Sequence, residues 1–259
     1  MPADLGSALA SGGLVGFSLG LVGGGGSILA TPLLLYVVGV TQPHIAIGTS
    51  ALAVSVNAFA NLIAHARSGN VRWRCAIIFA GAGTLGALAG STLGKLVDGE
   101  RLLFLFGLLM ILVGLMMLRP RKAAAPSERL IDFKSSLVTA AIAFAAGCTS
   151  GFFGIGGGFL IVPGLILATG MPMINAIGSS LLAVGSFGLA TALNYAASGL
   201  VDWPVAFEFI AGGIIGGILG MMLANRLSAG KNTLNRIFAA LIFLVAAYVL
   251  YHSAGAFLP

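Results

Sequence analysis

The chain has 259 residues, of which 58% are hydrophobic and only 8% charged, with a formal net charge of +6 and a mean hydropathy of +1.07. A soluble domain carries about a quarter charged residues, so this composition excludes one and implies an all-α polytopic membrane protein. No polar stretch between apolar blocks exceeds residues 119–134, which leaves no room for a soluble catalytic or nucleic-acid-binding module.

The first residues, MPADLGSALASGG, carry no basic n-region, so the first apolar segment is expected to stay in the mature protein. Apolar segments then run over residues 7–22, 27–40, 45–65, 73–94 and 101–118. After the polar connection they resume over 135–153, 158–169, 174–196, 204–224 and 236–252. The first two of each set are short for the ~20 residues a spanning helix needs. Joined into one helix, residues 7–40 would be about 50 Å long, well beyond the ~30 Å hydrocarbon core, so a break is expected at the glycines Gly23 to Gly26. Whether the broken pairs re-enter or span is open at this stage. Cys75 and Cys148 have no Cys or His at ligand spacing and read as core residues, with no metal site and no cofactor expected.

The two sets of segments are copies. GLVGGGGSILATP at Gly20 returns as GFFGIGGGFLIVP at Gly151, and AIGTSALAV at Ala46 returns as AIGSSLLAV at Ala176. SGNVRW at Ser68 matches SGLVDW at Ser198, and Gly86 and Gly90 match Gly216 and Gly220. The expected organisation is a first repeat over 1–122, a cytoplasmic linker over 123–131 and a second repeat over 132–259. Three connections hold 11 of the 13 Lys and Arg: residues 67–74, 119–134 and 226–236. Placing them in the cytoplasm puts equivalent loops of the two halves on opposite sides of the membrane. That is an inverted-topology repeat, each half having a glycine-broken short-helix pair plus three spanning helices, with both termini outside.

In hydrocarbon, irregular backbone is tolerated only where protein buries it or a polar cavity receives it. One reading of the glycine runs is a set of free N–H groups at the start of a half-helix, from Ser27 and from Phe159, suited to an anion. The other is close packing, since Gly12, Gly16 and Gly20 have small-xxx-small spacing. The substrate-binding candidates are Gly25, Gly26 and Ser27 with Gly156, Gly157 and Gly158. To these are added the recurring hydroxyls Thr49, Ser50, Ser179 and Ser180, and the polar residues Asn57, Asn61, Asn194 and Tyr195. Asn57, Asn61 and His65 recur every four residues and share one face; Asn61 and Asn194 rank first in their halves, and His65 reads as a solvated interfacial histidine. Gly86, Gly90, Gly94, Gly212, Gly216 and Gly220 read as helix contacts. No carboxylate, Lys or Arg lies within residues 7–65 or 135–196, so cations lack ligands, and a small anion would be held by N–H, hydroxyl and amide groups. The enzyme motifs HExxH and Walker A are absent, and no enzymatic role is expected.

GFSLGLVGGGGSILATPLL and GCTSGFFGIGGGFLIVPGL, followed by AIGTS and AIGSS, resemble the sulfite exporter TauE/SafE family of membrane permeases, over nearly the whole chain. The resemblance implies a transporter of sulfite, thiosulfate, sulfoacetate or a related organosulfonate in the bacterial inner membrane. The partners expected are that sulfur anion and the lipid bilayer, no nucleic acid, and a homodimer as the protein partner considered. An anion channel and a non-transporting membrane partner subunit are the alternatives.

Overall fold

The computed structural model describes residues 5–118, 133–154, 158–227 and 233–253. Every element there is helical. In chain order they are α1 (Leu5–Val22), a 3-10 segment (Gly23–Leu29), α2 (Ala30–Tyr36), α3 (Pro43–Arg67), α4 (Trp73–Gly94) and α5 (Gly99–Leu118). The second half gives α6 (Phe133–Phe153), α7 (Gly158–Thr169), α8 (Met173–Ala196), α9 (Trp203–Leu227) and α10 (Thr233–Ser253). Gly156, Gly157 and the expected linker over 123–131 lie outside the described residues. Among the described residues, five stretches are long and apolar enough to cross a membrane: Gly6–Tyr36, Pro43–Arg67, Trp73–Gly94, Met173–Ala196 and Trp203–Leu227.

The expected break differs in kind from what forms. Helical character is continuous from Gly6 to Tyr36, because the glycines wind into 3-10 turns instead of opening into irregular backbone. The path nevertheless reverses. Gly23 takes φ 67°, and Gly26 packs on the backbone of Ser18 and Leu19. In a straight helix Gly26 and Leu19 would be about 10 Å apart along the axis. The 3-10 segment and α2 therefore return alongside α1 as a hairpin. Gly154, with φ 65°, makes the matching turn between α6 and α7, which brings Gly164 back beside Ile142.

Glycines also set the closest helix contacts. Gly12, Gly16 and Gly20 of α1 lie on Phe209, Gly213 and Gly217 of α9, in parallel. In the same way Gly147 and Gly151 of α6 lie on Gly83 and Ala87 of α4. A Cβ added at any of these five glycines would overlap backbone on the facing helix, so only glycine allows the approach. Gly86, Gly90, Gly212, Gly216 and Gly220 are packed the same way, in line with the contact reading.

α3 and α8 cross at the centre and are antiparallel. Gly48 meets Tyr195, Ser55 meets Gly188, Phe59 meets Gly185 and Asn70 meets Gly178. The Ser55 hydroxyl donates to the Gly185 carbonyl at 2.7 Å. α5 and α10 are antiparallel too, with Gly107 on Leu250 and Gly114 on Phe243. Val54, Phe79, Leu181, Val184 and Phe187 belong to the apolar core around this crossing, while Leu85, Leu93, Leu112, Ile215 and Leu219 face outward. Outward leucines and isoleucines of this kind suit hydrocarbon and would be a liability in water.

Candidate functional site

The two recurring motifs meet crosswise. Gly23 of the first glycine run sits on Ile177 and Ser180 of AIGSS in the second half, and Gly154 sits on Ile47 of AIGTS in the first. The Gly24 N–H donates to Ser180 Oγ at 3.1 Å, and Ser180 in turn donates to the Ile177 carbonyl at 2.7 Å. Since α3 and α8 are antiparallel, the two glycine turns stand at opposite ends of that pair. The turns themselves do not meet; the segments leading from them do, for the 3-10 segment packs against α7.

Within the run, Gly25, Gly26 and Ser27 are buried, and Ser27 Oγ donates to the Gly24 carbonyl at 2.8 Å. The half-helix start expected at Ser27 does not form, because α2 begins at Ala30 with helical turns already before it. In the second half Gly158 is the first residue of α7.

The four hydroxyls are all engaged. Thr49 Oγ1 accepts the Asp202 N–H at 2.9 Å, and Ser179 Oγ accepts the Arg72 N–H at 2.8 Å. Each thereby ties a loop of the other half to the start of α3 or α8. Ser50 donates to the Ile47 carbonyl and shares a 2.8 Å bond with Thr31 of α2. Thr31 was not singled out from sequence; its place one residue before Pro32 in the glycine motif was the available signal.

Along α3 the polar row is buried throughout. Asn57 is 0% exposed and neither its Oδ1 nor its Nδ2 has a partner. Asn61 is 3% exposed; its Nδ2 donates to the Asn57 carbonyl, while its Oδ1 is unpaired. His65 corrects the sequence reading: it is fully buried rather than solvated. Its Nε2 lies 3.0 Å from the Gly20 carbonyl and its Nδ1 3.3 Å from Asn70 Nδ2. A carbonyl only accepts and an amide NH2 only donates, so these contacts assign the neutral tautomer with the proton on Nε2.

The matching positions of α8, 130 residues on, are Phe187, Thr191 and Tyr195. Thr191 Oγ1 and the Tyr195 hydroxyl are buried without partners. Asn194 is not brought to Asn57 or Asn61. It lies two turns beyond Phe187 toward the far end of α8, where Lys95 Nζ donates to its Oδ1 at 2.8 Å and its Nδ2 donates to Ser91 Oγ at 2.7 Å. Lys95 also stands 5.9 Å from the centre of the Tyr195 ring.

The profile of the sulfite exporter TauE/SafE family matches residues 8–249. The chain belongs to this family. Among curated proteins, a probable membrane transporter protein of Xylella fastidiosa is 66% identical over 246 residues, 95% of this chain and 94% of that one. The probable membrane transporter protein YunE of Bacillus subtilis is 28% identical over 92% of this chain and 95% of its own length. No solved structure matches. With its apolar helices, this TauE/SafE chain is a multi-pass membrane protein.

Proposed function

We propose that this TauE/SafE membrane transporter moves a small sulfur-containing anion, such as sulfite, thiosulfate, sulfoacetate or a related organosulfonate, across the bacterial inner membrane by alternating access. The observation that carries the reading is the Gly24 N–H held by Ser180 across the two halves. Ser180 there fills the place of a ligand oxygen, and Thr31 and Ser50 satisfy each other nearer the other end of the α3–α8 pair. Opening the crosswise contact would free the Gly24 N–H and the Ser180 hydroxyl for an oxyanion, with Gly25, Gly26 and Ser27 around it. Such neutral donors suit an anion that must be released again, since no buried cation holds it. Thr49 and Ser179 act in this reading as the ties that keep the two motifs in register.

The rearrangement is a rocking of two inverted-topology repeats. Antiparallel pairing of α3 with α8 and of α5 with α10 supports inversion, because repeats related by an axis along the membrane normal would pair these counterparts in parallel. Substrate counterflow in proteoliposomes tests the function. Saturable exchange of labelled sulfite, thiosulfate or sulfoacetate is the expected result. Flux without saturation or counterflow would instead indicate a channel.

A further inference from the structure

Asn57 and Asn61 form the largest cluster of unpaired buried polar atoms among the described residues. Their free groups are two amide oxygens and one amide NH2, enclosed between α1, α3 and α9. Each buried polar group left unpaired costs on the order of 1–3 kcal/mol. The surrounding glycines make room for them: a Cβ at Gly213 would overlap the Asn57 amide, and one at Gly217 would overlap the Asn61 amide. The equivalent seam of the other half also leaves polar atoms unpaired, Thr191 Oγ1 and the Tyr195 hydroxyl, but it carries no amide facing the glycines. There Phe187 takes the place of Asn57, stands over Gly83, and stacks on Phe79 with ring centres 6.4 Å apart. Packing alone is thus met by an apolar residue at this position, and the amides call for another explanation.

We propose that the seam between α1, α3 and α9 is one half of the substrate path, with Asn57 and Asn61 as its polar wall and His65 as its gate. The occupant is a hydrated oxyanion: the Asn57 NH2 donates to an anion oxygen, and the two amide oxygens accept hydrogen bonds from its water. The row runs from beside the Ser55–Gly185 crossing toward the end of α3 that carries Arg67. There His65 bridges α3 to α1 through the Gly20 carbonyl and is backed by Asn70, which also donates to Asn225 of α9 at 2.9 Å. That bond closes the seam in the present conformation.

This rests on the transport reading, and cysteine accessibility tests it separately. In full-length protein carrying Cys75→Ala and Cys148→Ala, reconstituted in vesicles, Asn61→Cys is exposed to methanethiosulfonate ethylsulfonate from the face bearing Arg67 and Arg72. If the open seam is a minor state populated at about 0.1–10%, Asn61→Cys should react at about that fraction of the rate at the exposed Ser68→Cys. His65→Leu should raise the rate. Asn57→Cys, read the same way, replaces Asn61→Cys if that variant does not fold. The proposal is overturned if these cysteines react no faster than Ala183→Cys in the apolar core, with or without His65→Leu. Labelling as expected, without counterflow of any sulfur anion, would sink the transport reading and leave the seam as a water-accessible path.

Discussion

Single side chains separate function from stability in this molecule. Asn57 is buried, unpaired and matched in the other half by Phe187, so Asn57→Leu should leave the melting temperature unchanged or raise it, because it removes polar atoms that have no partner. The same substitution should abolish saturable anion uptake; a variant with full uptake would remove Asn57 from the path. Ser180 bears on both. Ser180→Ala orphans the Gly24 N–H and should cost about 1–3 kcal/mol, read as a lower melting temperature. Ser186 bonds only within its own helix, to the Leu182 carbonyl, so Ser186→Ala should stay within about 0.5 kcal/mol of wild type.

At the level of elements, the glycine turns show what was and was not legible in the sequence. The repeat, the helical class and the need for a break near Gly23 all followed from spacing and hydrocarbon thickness. The 3-10 winding did not, because it depends on α7 and α8 closing over the run. The crosswise seating of each run on the other half's AIGTS or AIGSS motif was likewise hidden: repetition marks two motifs as important but does not say which copy touches which. His65 was misread for a similar reason, since its partner, Gly20, is separated from it by 45 residues. Two glycines with positive φ separate strain from crowding. Gly39 has φ 84° with nothing within reach of a Cβ, whereas Gly23 would overlap Ser180 and Ile177. Gly39→Ala should cost about 1–2 kcal/mol through backbone strain alone. Gly23→Ala should cost more and should also impair uptake, and equal losses would deny the turn its packing role.

For the whole molecule, charge and packing direction can be checked against each other. The contacts make α1, α3, α5, α7 and α9 run one way and the remaining long helices the other. The loops after α3 and α9 then share a face, and so do the first residue of α1 and the last of α10. We expect impermeant thiol reagents to label single cysteines at Ser68 and Asn225 only from the cytoplasmic side. Ser198→Cys should label from the opposite side. Labelling of all three from one side would refute the inversion.

In the proposed inverted arrangement each half would make five passes: α1, the 3-10 segment with α2, α3, α4 and α5. Odd passes carry a consequence for descent. When a unit of five is duplicated in tandem, the second copy enters the bilayer upside down with respect to the first. A lone ancestor could assemble this same crosswise pair only if its copies inserted both ways. The basic residues now concentrated after α3, but replaced by Asp202 in the matching loop after α8, would then be the trace of two orientations becoming fixed after fusion.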